Sequence, residues 1–235
     1  NAGALEGFRV QGGRGRIEGL GLDASTTDHA LVLARAVEVN AGLWANALTV
    51  VTGANEVSAD AGRIHATTPS GAPPAFALDV AAIGGMYAGQ IRLVGTEAGL
   101  GVNHAGLIDA HSALTLDVNG WLSQSGGART YGDAVNIAAQ GVRNADGAVI
   151  AARDNLAITA DEIHNTEGAL LLSAGDMALS ANERIENRSA SIEALGNLSI
   201  GTPVLVNAND HINHTLVSDA STNHTVYYTP GGSVD

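Results

Sequence analysis

A period of 21 residues, running from Gly106 to Asn207, constrains this chain more than any other feature. Leu114 and Leu116 return as Val135 and Ile137, Leu156 and Ile158, Met177 and Leu179, and Leu198 and Ile200. Two apolar residues at i and i+2 point to the same face of a strand, whereas an amphipathic helix spaces them by three and four. The residues between them (Thr115, Asn136, Ala157, Ala178 and Ser199) are polar or small, as an outward face requires. A unit this short cannot bury its own apolar face, so it must stack on its copies. The expected fold is all-β: a parallel β-helix of about 21 residues per coil, without helices.

Other columns keep the same register. Trp121, Val142 and Ile163 predict a second inward strand, with Trp121 packed inside. Gly126, Gly147 and Gly168 mark corners where the chain needs φ > 0 or room beside the backbone. Ala139, Ala160 and Ala181 suit a tight inner corner. Asn144, Asn165, Asn187 and Asn207 follow at steps of 21, 22 and 20, which predicts a hydrogen-bonded turn ladder and one coil with an extra residue. At about 4.8 Å between paired strands, roughly eleven coils make a rod on the order of 50 Å long.

Composition narrows the function classes. Aliphatic stacks rather than rings must fill the core, since AVILMFWYC residues make 45% of the chain and aromatics only 3%. Nucleic acid and anionic lipid both require clustered cations, and a chain of net charge −13 with no Lys does not offer them. No disulfide or thiol chemistry is available without cysteine, and no apolar run is long enough for a transmembrane helix. The chain opens at Asn1 with no Met, charged n-region or apolar h-region, as expected of a piece whose targeting signal lies elsewhere.

Three sections are expected along the chain. Residues 1–105 carry strand-spaced pairs (Leu31 and Leu33, Val37 and Val39, Leu48 and Val50) and a Pro-rich loop at 67–77 that interrupts the coils. Residues 106–207 are the regular coils. Residues 208–235 form a polar tail, expected to cap the last coil or to begin a further module.

Two phrases carry a family resemblance. The stretch ARAVEVNAGLWANALTVVTGAN, Ala34 to Asn55, and the stretch GGMYAGQIRLVGTEAGLGV, Gly84 to Val102, closely resemble the filamentous haemagglutinin family of two-partner secretion exoproteins. That family includes contact-dependent growth inhibition effectors of the CdiA type. The coils from Gly106 to Asn207 resemble its haemagglutinin repeats, with turns such as Val142-Arg143-Asn144 and Ile163-His164-Asn165. The resemblance implies a right-handed parallel β-helix and a very large parent chain. It also implies export through an outer-membrane transporter of the Omp85 type, and adhesion or toxin display at the bacterial surface. The family's NPNL- and NPNG-like export motifs are absent, so the chain is expected to hold the later part of the secretion domain and the first shaft repeats.

Candidate sites were weighed against plain structural roles. Asp133 and Asp154 stand 21 apart, with Asp176 one residue off, and β-helices do serve as polysaccharide lyases and hydrolases. A glycosidase pair must flank one bond at a set separation, whereas these acids sit in Gly and Asn company, the setting of solvated turn carboxylates. His211 and His214 are the only close histidine pair and lack a third ligand at zinc spacing. No G-x-S-x-G elbow surrounds Ser123 or Ser125. Trp44, Tyr87 and Tyr131 are candidates for stacking on sugars, with Trp121 reserved for the core. No catalytic, cofactor-binding or metal-binding residue is assigned, and no cofactor is expected. The expected role is a non-enzymatic shaft segment of a secreted exoprotein. A direct receptor-binding adhesin module, touching its receptor through loop 67–77 or the tail, is the first alternative. A carbohydrate-active β-helix is the second.

Overall fold

The apolar pairs are stacked coil on coil in the computed structural model, which describes residue 3 and residues 5–210. Of the tail expected at 208–235, Ala208 closes the strand Leu205–Ala208, while 211–235, and with it His211 and His214, lies outside the described residues. Leu114 pairs with Val135, Val135 with Leu156, Leu156 with Met177 and Met177 with Leu198, all in parallel register. The column also extends towards the N-terminus through Ile91, Leu48 and Ala30. No helix is present among the described residues.

Each coil turns through three faces. The first carries the apolar pairs. The second stacks Leu22, Leu43, Met86, Ile108, Thr130, Ile150, Leu171 and Ile192 on its inner side. The third runs from Arg14–Ile17 through Ala36–Val39, Leu78–Val80 and Val102–His104 to Leu205–Ala208. Inner side chains from the three faces meet in one axial core, in which Leu43, Met86, Ile108, Leu114, Ile150, Leu156 and Ile163 are almost wholly buried. Such burial stabilises each coil by roughly 1.5–3 kcal/mol per large side chain, but only while its neighbours are present to supply the other side of the contact.

The third face holds nine strands, so the expectation of about eleven coils is corrected to about nine. Part of the chain leaves the coil. Between Leu48 and its partner Ile91 lies an excursion containing the strands Asn55–Ser58 and Ile64–Ala66. These pair antiparallel with each other, and Gly7–Val10 joins them as a third strand. Val10 therefore belongs to this small outer sheet. The Pro-rich loop follows directly and is mostly exposed.

Two further expectations are off by one residue for one reason. Leu122, not Trp121, pairs with Val142, because the chain carries one more residue between Val118 and Trp121 than its neighbour does between Ala139 and Gly141. Trp121 pairs with Gly141 and points outward. The same offset moves the glycine column. Three successive corners turn through two residues of positive φ, Gly126 and Gly127, Asp146 and Gly147, Glu167 and Gly168, and the next through Ser189 alone. Gly126 thus corresponds to Asp146, while Gly127 corresponds to Gly147. The extra residue expected ahead of Asn187 is present, between Ala181 and Arg184.

Because core burial is a stacking term, Leu156→Ala should lower unfolding stability by about 2–5 kcal/mol. Leu20→Ala, at a fully exposed position, should stay within about 0.5 kcal/mol of the parent chain. Urea unfolding followed by far-UV circular dichroism distinguishes the two.

Candidate functional site

The third face changes character part-way along the rod. Its inner column reads Ile17, Val39, Val80 and then His104, Gln124, Asn144, Asn165, Asn187 and Asn207. Apolar packing gives way to a buried polar ladder. Gln124 Nε2 donates to Asn144 Oδ1 at 3.2 Å, Asn144 Nδ2 to Asn165 Oδ1 at 2.9 Å, and Asn165 Nδ2 to Asn187 Oδ1 at 2.8 Å. Asn187 continues to Asn207 at 2.8 Å. The second amide hydrogen goes to a backbone carbonyl: Val149 for Gln124, Leu170 for Asn144 and Ser191 for Asn165. An amide can join such a row because it both donates and accepts.

His104 precedes Gln124 in the same column and is bonded to backbone alone. Its ring is wholly buried; Nε2–H donates to the Arg129 carbonyl at 3.1 Å, and Nδ1 accepts from the Gly106 N–H. Burial without a carboxylate partner penalises the imidazolium and lowers the pKa to about 4. The sequence contained this position in Val102-Asn103-His104, in line with Leu122-Ser123-Gln124 and Val142-Arg143-Asn144. Both steps are shorter than 21, which hid it.

A second buried polar group holds the excursion against the coils. Arg35, 4% exposed, makes a two-pronged ion pair with Glu97 at 2.7 and 2.9 Å. Its Nη1 donates to the carbonyls of Ser70, Gly71 and Ala72 in the Pro-rich loop. The hydrogen bond to Glu97 raises the pKa of the guanidinium. Arg35 sits inside the phrase that carries the family resemblance, yet sequence reasoning assigned it no role, because Glu97 lies 62 residues away.

Of the acids weighed for catalysis, Asp133 and Asp154 lie within the long strands Arg129–Asn144 and Val149–Thr166 rather than in turns, and only Asp176 lies just ahead of a strand, Met177–Arg188. Asp133 accepts from Arg153, and Asp176 Oδ1 accepts from the Asn197 backbone N–H at 2.7 Å and from its side chain at 3.0 Å. Asp154 contributes its backbone carbonyl to Ser173 at 2.9 Å. Among the described residues no three His, Asp or Glu side chains converge on a metal position. On the outer surface the structure brings Trp44 and Tyr87 together, with ring centroids 5.8 Å apart. Trp121 lies over Gly141, stacks on His164 at 5.9 Å and receives the Arg143 guanidinium at 5.6 Å. Tyr131 follows Asp109, which follows Tyr87, in the row of the second face.

Comparison with known proteins agrees with this architecture. Residues 1–123 match the TPS secretion domain, and residues 134–215 match the haemagglutinin repeat. This chain belongs to the two-partner secretion exoprotein family of filamentous haemagglutinin and CdiA. Over 128 residues it is 46% identical to a Toxin CdiA of Yersinia pestis, covering 54% of this chain and 4% of that one. It is 43% identical over 140 residues to a tRNA nuclease CdiA of Escherichia coli, covering 60% and 4%. A tRNA nuclease CdiA-2 of Burkholderia pseudomallei is 44% identical over 127 residues, covering 53% and 4%. The chain therefore spans about 4% of the length of these CdiA relatives. No solved structure matches it. Within the family the segment is a structural β-helical one, crossing from secretion domain to haemagglutinin repeat.

The buried imidazole of this exoprotein segment makes a pH prediction. The unfolded chain takes up a proton on His104 near pH 6.5 while the folded chain resists until about pH 4. Its contribution is therefore fully present above 6.5 and is lost as pH falls from 6.5 towards 4, by about 3 kcal/mol in all. His104→Gln, which extends the amide ladder by one rung, should remove this part of the acid loss. Urea midpoints of both proteins at pH 7.5 and pH 4.5 measure the difference.

Proposed function

We propose that this segment is the base of a rigid shaft in a large secreted exoprotein, working through length and surface rather than through a catalytic centre. The observation that carries this reading is the continuously stacked interior, in which an apolar core runs from coil to coil and, from Gln124 onward, a column of buried amides bonds each coil to the next. On this reading residues 1–105 are the later part of the secretion domain and residues 106–207 are the first shaft coils. The parent chain crosses the outer membrane through a transporter of the Omp85 type and folds at or beyond the cell surface. The shaft then holds an adhesive or toxic module away from the producing cell.

The nuclease names of the relatives describe proteins of which this segment is a small part, and they assign it no reaction. A carbohydrate-active β-helix is the weaker reading, since Asp133 is engaged by Arg153 and Asp176 by Asn197. Carboxylates already engaged in this way are poorly placed to exchange protons with a substrate.

The shaft reading predicts that length can change in whole coils. Deleting residues 146–166 from the parent protein joins Ala145 to Glu167, which occupy successive places in equivalent corners. Export, surface display and target-cell adhesion or inhibition should stay close to the unaltered level. Deleting residues 146–155 alone breaks the register and should abolish display. Loss of function from the whole-coil deletion, with display intact, would contradict a purely mechanical role for those residues.

A further inference from the structure

We propose that the outer side of the second face carries a glycan-binding platform, built from Trp44 and Tyr87 and bracketed by Asp23 and Asp109, for a chain of neutral hexoses or N-acetylhexosamines. These four residues occupy successive rungs of one outward row: Asp23 pairs with Trp44, Trp44 with Tyr87 and Tyr87 with Asp109. The two rings stack with planes within 10° of each other, and Trp44 remains 40% exposed. An indole fixed in place and left wet is a surface prepared for a partner that is apolar on one side and polar at its rim.

The backbone beneath the rings is fitted to them. A Cβ on Gly42 would stand 2.2 Å from the Trp44 indole, and one on Gly85 would stand 2.7 Å from the Tyr87 ring. A Cβ on Gly21, in the preceding coil, would also press on the indole, at 3.1 Å. Each ring thus leans back over a glycine two residues earlier in its own strand. Neither ring is part of the apolar core.

Sugar chemistry suits this row better than two other occupants. An extended peptide adding as a strand needs unpaired backbone, but the strands under Trp44 and Tyr87 are already paired on both sides. A compact cation would seat on a carboxylate, but Asp23 and Asp109 stand at opposite ends of the row with both rings between them, and Asp23 already accepts from the Ser25 backbone and hydroxyl at 2.9 and 2.6 Å. What remains is a flat apolar surface with carboxylate acceptors on either side, which matches the C–H face and rim hydroxyls of a pyranose.

The chain has two tryptophans, so Trp121→Phe leaves Trp44 as the only indole reporter. Its fluorescence would be titrated with cellohexaose, maltohexaose, chitohexaose and, separately, hexalysine. Saturable change with at least one hexasaccharide is expected, weakened about tenfold by Tyr87→Ala or by Gly42→Ala, with the far-UV spectrum unchanged. No change with any of the three hexasaccharides at millimolar concentration would overturn the proposal. So would a response to hexalysine alone, which would assign the row to cations, or saccharide binding that survives Trp44→Ala when measured by calorimetry.

Discussion

The rod depends on the stacking of one coil upon the next, and nowhere is that dependence stricter than in the buried amide row of the third face. An apolar column tolerates small shifts of register, since dispersion contacts are non-directional. An amide row does not, because each Oδ1 must meet the Nδ2 of the coil before it. An Asn displaced by one residue would face solvent and leave its neighbours buried without partners. The ladder thus fixes register through the regular coils, while Leu and Ile supply most of the burial energy. The 22- and 20-residue steps around Asn187 show how strictly it does so: the chain absorbs an extra residue on the outside and keeps the amide in line.

The secretion-domain half is held differently. Its third-face column is aliphatic at Val39 and Val80, and the long-range polar tie there is Arg35, which joins the coil to Glu97 and to three carbonyls of the inserted loop. His104 stands at the boundary between the two regimes: like the amides that follow, it donates to a backbone carbonyl, but no side-chain bond links it to Gln124. The segment therefore changes its means of fixing register close to where secretion domain gives way to haemagglutinin repeat, without any break in the apolar core.

Much of this was legible in the sequence because a repeat reports its own register. The apolar pairs and the Asn column could be placed by counting, and the loop at 67–77 by its prolines, although the excursion it ends begins earlier, with Asn55–Ser58. Counting failed where the chain departed from 21. A 20-residue step put Trp121 in the core column, where Leu122 belongs, matched Gly126 with Gly147, and concealed Gln124 and His104 as members of the third-face column. The antiparallel sheet of Gly7–Val10, Asn55–Ser58 and Ile64–Ala66 left no periodic trace, because its strands are short and two of them are far from the third in sequence. Arg35 was equally silent, since a buried cation is defined by a partner that sequence spacing does not identify. The outward rings could be named as candidates, but their stacking on neighbouring rungs required the 42 residues between Trp44 and Tyr87 to be folded out of the way.

The central claim, that buried side-chain amides lock the coils in register, is tested most directly by hydrogen exchange at those amides. The Nδ2 hydrogens of Asn144, Asn165 and Asn187 can be followed by ¹⁵N-resolved NMR after transfer to deuterated buffer, with Asn46 on the surface as the internal comparison. The account predicts that the three ladder amides exchange only with unfolding of the coil, together and orders of magnitude more slowly than Asn46. Exchange of the ladder amides as fast as that of Asn46, in a chain whose β spectrum is intact, would contradict it.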